Sequence, residues 1–245
     1  HHGWFGWGGS TPGERDTFYM NNGDGTFTDV TESLHVPGFE TSTGAHTVPG
    51  VLHYSSTNAV IFDDFDNDQW PDLLVTNKVG GPPDYNKLYR NQGADAEGNW
   101  LGFETVTYNM PNAFGHRSGA AMGVDVGDAD NDGDLDIYIT DWSPNLPFSD
   151  QLDPNAGQND LWVNQFAETG VLSFVHSDEL KSVYSWGTQF EDFDNNGWQD
   201  VHVATHGTHA DSFFINGPEG FSSDVAAAVG MTETHGSRGD VSADY

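Results

Sequence analysis

Gly123-Val124-Asp125-Val126-Gly127-Asp128-Ala129-Asp130-Asn131-Asp132-Gly133-Asp134-Leu135-Asp136-Ile137-Tyr138-Ile139-Thr140 is the stretch on which the fold turns. An alternating run leads into a tight acidic loop of the form D-x-D-x-D-G-x-x-D, and a second apolar run leads out of it. Two further copies flank it: Asp64-Phe65-Asp66-Asn67-Asp68-Gln69-Trp70-Pro71-Asp72 and Asp192-Phe193-Asp194-Asn195-Asn196-Gly197-Trp198-Gln199-Asp200. The copies start at 64, 128 and 192, a period of 64 residues. Repetition on that scale points to a propeller, a solenoid or an array.

Oxygen-bearing side chains stand at loop positions one, three, five and nine. Folding so many carboxylates together is costly unless a cation offsets their repulsion. Calcium accepts six to eight oxygens in flexible geometry, whereas magnesium demands a near-ideal octahedron. Three Ca²⁺ sites are therefore expected. Their side chains would be Asp64, Asp66, Asp68 and Asp72; Asp128, Asp130, Asp132 and Asp136; and Asp192, Asp194, Asn196 and Asp200. The seventh position would add a backbone carbonyl, from Trp70, Asp134 and Trp198. An EF-hand would need Glu at position twelve and flanking helices. Position twelve is instead Val75, Ile139 and Val203, and β-rich segments follow each loop. Metal-free Asp/Asn/Gly turns are the plainer reading, but three copies in register weigh against it. Gln69 in place of glycine and neutral Asn196 mark loops one and three as the weaker binders.

The same hairpin follows each acidic loop. Lys87–Asn91 faces Phe103–Thr107, Leu161–Asn164 faces Phe174–His176, and Ser212–Asn216 faces Gly220–Ser222. Residues 17–31 form another, around an Asn-Gly-Asp-Gly turn, in which Asp24 reads as a turn residue. Four antiparallel strands per unit describe a propeller blade. The expected fold is all-β: a β-propeller of four-stranded antiparallel blades. Residues 1–55 read as a partial blade and connection, 56–119, 120–183 and 184–235 as blades, and 236–245 as the start of a further blade. Asp244 would open a fourth, incomplete loop. About four blades' worth of sequence is present, which reads as part of a larger propeller. No helical periodicity is visible beyond a short turn at Ala226–Ala228.

Of 245 residues, 38 are acidic and seven basic, a net charge of −31. That excess excludes a nucleic-acid partner, whose phosphates need Lys and Arg. Three calcium ions would offset six of these charges, so the rest belongs to a well-solvated acidic surface. There is no cysteine and no apolar run long enough to span a membrane. Calcium loops of this kind fit extracellular modules, which bind at roughly 10⁻⁴–10⁻³ M.

The D-x-D-x-[DN]-x-x-x-D loops and the L-Y-x-N…F-x-x-V-T hairpin resemble the VCBS/FG-GAP repeats of integrin-α-like propellers. Tyr184–Asp194 and Asp24–Thr31 are most similar to the branch containing cartilage acidic protein and bacterial ASPIC/UnbV proteins. The resemblance implies a secreted or cell-surface scaffold that recognises a protein or glycan, with structural calcium and no catalytic residues. Two other readings stand beside it: a carbohydrate-active propeller (lyase or lectin), and a subunit of an extracellular assembly or filament. For the lyase reading the candidates are His206, with His202 and His209 near it, and His116 beside Arg117. His46, His53 and His235 fall in the segments between blades, and no metal-ligand spacing joins them.

Overall fold

A computed structural model describes residues 17–30, 57–77, 86–106, 121–142, 158–182, 184–232 and 234. The described chain is nearly all β. Strands β1 (Tyr19–Asn21) and β2 (Phe27–Asp29) form a hairpin. A four-stranded meander follows: β3 (Thr57–Asp63), β4 (Asp72–Asn77), β5 (Lys87–Asn91) and β6 (Phe103–Thr105). The second meander is β7 (Ala121–Gly127), β8 (Asp136–Asp141), β9 (Asp160–Asn164) and β10 (Phe174–Ser177). The third has three strands, β11 (Ser185–Glu191), β12 (Asp200–Thr205) and β13 (Ser212–Phe214). All pairings are antiparallel. Successive antiparallel meanders stacked in chain order are the arrangement of propeller blades.

The 64-residue period is carried by the first half of each blade. β3, β7 and β11 begin at 57, 121 and 185, and each carries a register shift near its start. The second halves vary. The asparagine that ends the third strand falls at Asn91, Asn164 and, just past β13, Asn216.

The expected fourth strand of the last blade, Gly220–Ser222, is not formed as a strand. Gly217 and Pro218 open the turn, and proline has no N–H for a ladder. The segment still lies along β13: Ser222 N donates to Ile215 O at 2.7 Å, and Val225 N to Phe213 O at 2.8 Å. Ser222 Oγ and Asp224 Oδ1 accept the N–H groups of Ile215 and Phe213, a task ladder carbonyls would otherwise perform. One helical turn, α1 (Phe166–Thr169), sits in the β9–β10 connection and ends at Gly170 with φ +66°. It is too short for periodicity to reveal. The short turn expected at Ala226–Ala228 is present and runs on to Gly230.

The core lies between blades. Every residue of β4 and of β8 is buried, because both faces are covered. Alternation then assigns faces. Leu74, Leu88 and Phe65 meet Ile137, Ile139, Trp162 and Phe174 of the second blade. On the other face of β8, Tyr138 joins Leu161, Phe190, Val201, Val203 and Phe214 between the second and third blades. Leu73, Val75, Tyr89 and Phe103 face outward from the first blade, with Phe18, Val30 and Trp100 packed on them.

Polar contacts tie the blades together. Asn58 Nδ2 donates to Met122 O at 2.6 Å, Thr140 Oγ1 to Trp186 O at 2.6 Å, and Phe190 N to Asp125 Oδ2 at 2.7 Å. The Thr140 contact requires close approach at Gly123, where a Cβ would collide with the Trp186 carbonyl, and the Phe190 contact goes with a second close approach at Gly127, where a Cβ would meet the Phe190 ring.

Candidate metal centres

The acidic loops join the first and second strands of each blade, and the three share one hydrogen-bond pattern. The position-one carboxylate accepts the N–H groups of positions five and six: Asp68 and Gln69 on Asp64, Asp132 and Gly133 on Asp128, Asn196 and Gly197 on Asp192, all within 2.8–3.1 Å. The position-five oxygen accepts the N–H of position seven: Trp70 on Asp68, Asp134 on Asp132 and Trp198 on Asn196. Position four takes positive φ in every copy, at Asn67, Asn131 and Asn195, a conformation asparagine tolerates.

Position six does the same, at +95° for Gly133 and +90° for Gly197, but loop one forces Gln69 to +74°. A side chain there costs roughly 1–2 kcal/mol, partly offset by the extra freedom glycine loses on folding. Gln69→Gly is therefore expected to stabilise the chain by about 0.5–1 kcal/mol, read as a raised urea midpoint. An unchanged or lowered midpoint would contradict this account of the loop.

Position nine is the structural hinge. Asp72, Asp136 and Asp200 are fully buried. One oxygen of each accepts the position-two N–H: Phe65, Ala129 and Phe193, at 3.2, 2.6 and 3.0 Å. The other accepts the backbone N–H of Asn91, Asn164 or Asn216, at 2.8, 2.7 and 2.7 Å. These asparagines, which sequence reasoning read only as hairpin residues, complete the site. Their side-chain amides donate to the position-eight carbonyls of Pro71, Leu135 and Gln199. Asn164 and Asn216 also reach the preceding blade, donating to Phe65 O at 2.8 Å and Ala129 O at 2.7 Å. Position two is thus clamped by its own loop and by the next blade. Phe65 and Ala129 are buried accordingly, while Phe193 of the last described loop is 39% exposed.

The carboxylates of positions one, three and nine converge. Asp64, Asp66 and Asp72 offer oxygens within 4.8 Å of one another, as do Asp128, Asp130 and Asp136, and Asp192, Asp194 and Asp200. Asp68 belongs to no such triad among the described residues, and Asp132 belongs to a different one, with Asp130 and Glu168. Asn196 Nδ2 donates to Asn216 O at 2.8 Å. Asp134, expected to offer only its carbonyl, is 1% exposed and uses its side chain as well: Oδ2 accepts Ala167 N–H at 2.7 Å. Asp244 lies outside the described residues.

The electrostatics are those of a site short of positive charge. Without an ion, burial pushes the Asp136 carboxyl up to about 8, and the nearby charges of Asp130 and Asp134 add to it, against the hydrogen bonds from Asn164 and Ala129. Asp72 is pushed up to about 7 in the same way. Asp130 reaches about 6, through burial and then the charges of Asp132, Asp128 and Glu168. Asp66 and Asp200 are raised, also chiefly by burial. Arg90 Nε lies 2.8 Å from Asp66 Oδ2 and offsets part of the charge in loop one. Buried carboxylate oxygens remain without a hydrogen-bond partner at Asp66 Oδ1, Asp132 Oδ2 and Asp134 Oδ1. Orphaned anionic oxygens beside convergent carboxylates are the donor set of a hard cation. The residues fit such an ion.

The other candidates have local partners. Asp24 accepts the N–H and hydroxyl of Thr26, which hold its carboxyl below the usual range. His209 stacks on Tyr184, and His206 lies against Trp186 and Trp142. His202 Nε2 is 3.8 Å from Asp211 Oδ2. His46, His53, His116, Arg117 and His235 lie outside the described residues.

No helix among the described residues is long and apolar enough to cross a membrane. No curated protein matches the chain. Residues 64–139, from the first aspartate of loop one to the strand leaving loop two, match the family model of the FG-GAP-like repeat, so the chain carries an FG-GAP-like repeat across its first two acidic loops.

Proposed function

We propose that this chain is a calcium-stabilised propeller module of a secreted or cell-surface protein, a non-catalytic scaffold that presents a surface to a protein or glycan partner. The observation that carries this reading is the threefold recurrence of one device. In each loop, convergent carboxylates sit on a buried position-nine aspartate that also holds the next hairpin in place. An ion bound there joins the first two strands of its blade and, through Asn164 and Asn216, braces the seam to the preceding one. Calcium suits the loops better than magnesium because they offer many oxygens in irregular geometry. The role is structural: backbone N–H groups hold the position-one and position-nine oxygens, so that an ion on them fixes the loop to its strands. Abundant acid on the remaining surface suits an environment rich in calcium and salt.

Isothermal titration of the chelated chain tests this. Calcium uptake is expected to reach at least one ion per loop, with dissociation constants of roughly 10⁻⁴–10⁻³ M, and an equal concentration of magnesium should not displace it. Absence of calcium heat at millimolar concentration, with the chain folded, would sink the reading.

A further inference from the structure

The middle loop holds more acid than its first triad uses. Asp130, Asp132 and Glu168 form a second triad, their oxygens within 4.8 Å of one another. Among the described residues, neither flanking loop has a counterpart. Glu168 comes from α1, in the connection between β9 and β10, and is brought over the loop by Asp134, whose Oδ2 holds Ala167 N–H at 2.7 Å.

A separate observation points to a ligand there. Asp134 is 1% exposed, and its Oδ1 has no hydrogen-bond partner. Asp134 N–H donates to Asp132 Oδ1 at 3.0 Å, and Asp134 Oδ2 holds the residue next to Glu168, so this carboxyl lies against the triad. Asp132 Oδ2 is buried and orphaned as well. An anionic oxygen left dry and unpaired is costly, and a positive partner removes the cost. Positions seven of the other loops, Trp70 and Trp198, supply no such oxygen.

We infer that the middle loop is a two-ion site, in which a second hard divalent cation is held by Asp130, Asp132 and Glu168 with Asp134 as the inner wall. Asp130 serves both ions, since a carboxylate has two oxygens and lone pairs on each. The inference rests on the reading that the first triad holds an ion, and the α1 turn then becomes a lid that the second ion fastens to the loop.

Calcium bound per chain, measured by equilibrium dialysis at rising free calcium, tests it on the intact chain and on Glu168→Gln. Glu168 is exposed, so the variant keeps the fold, which far-ultraviolet circular dichroism checks. The wild type is expected to bind one calcium more than the variant, or to bind its last ion at least tenfold more tightly. Asp134→Asn should weaken the same ion. Equal stoichiometry and equal affinities in wild type and Glu168→Gln overturn the two-ion site while leaving the one-ion loops standing. No uptake by either protein overturns both.

Discussion

Stripping divalent ions with EDTA at pH 8 is expected to lower the melting temperature by about 15–30 °C. Each ion present at a hundred times its dissociation constant adds about 2.7 kcal/mol, so three loops add about 8 kcal/mol. In a chain of this length each kcal/mol moves the melting point by about 2–4 °C. The effect should depend on pH in a defined direction. Asp136 and Asp72 titrate at about 8 and about 7 in the folded, ion-free chain, against about 3.9 unfolded. Between those limits the folded state binds more protons than the unfolded one. Ion-free stability is therefore fully present below about pH 4 and is lost as pH rises through 7 and 8. Calcium must displace those protons, so it binds weakly at pH 5 and well at pH 8. Paired melts at pH 5, 6.5 and 8 check this. An EDTA shift that is flat across the three, or nil at pH 8, would remove the basis for a structural ion.

Asp136→Asn is expected to be the most damaging single substitution in the middle loop, at about 4–6 kcal/mol in calcium. Asp136 Oδ1 and Oδ2 accept Asn164 N–H at 2.7 Å and Ala129 N–H at 2.6 Å. An amide puts an NH₂ where one of these donors points, and an unsatisfied buried donor costs about 1–3 kcal/mol. Loss of the ion removes about 2.7 kcal/mol more. In EDTA at pH 8 the penalty should shrink, because the variant no longer buries a charge that lacks a counter-ion. Urea unfolding in calcium and in EDTA separates the two contributions. A variant as stable as wild type in calcium would show that Asp136 neither binds an ion nor anchors the hairpin.

Much of this was legible along the chain because it is local. Strand, loop and strand lie within about twenty residues, and alternation of apolar residues reports which faces are covered. The convergence of Asp128, Asp130 and Asp136 follows from spacing within a single turn. The resemblance to FG-GAP repeats came from the same residues, and the family match spans two of the three loops. The failures were local signals with a different outcome. Gly220–Ser222 has the look of a strand, yet Ser222 and Asp224 side chains take the place of its ladder. Asp134 was read for its carbonyl alone, although its side chain grips α1.

By itself, then, the sequence settled the all-β class, the repeat and the identity of the acidic turns, since each depends on neighbours a few residues away. Folding decided the rest. Asn164 meets Leu135 across 29 residues and Phe65 across 99, and Glu168 joins Asp130 and Asp132 from a different hairpin. Such partners are set by how one blade packs on another, and connections of unequal length hide that packing from any fixed spacing along the chain.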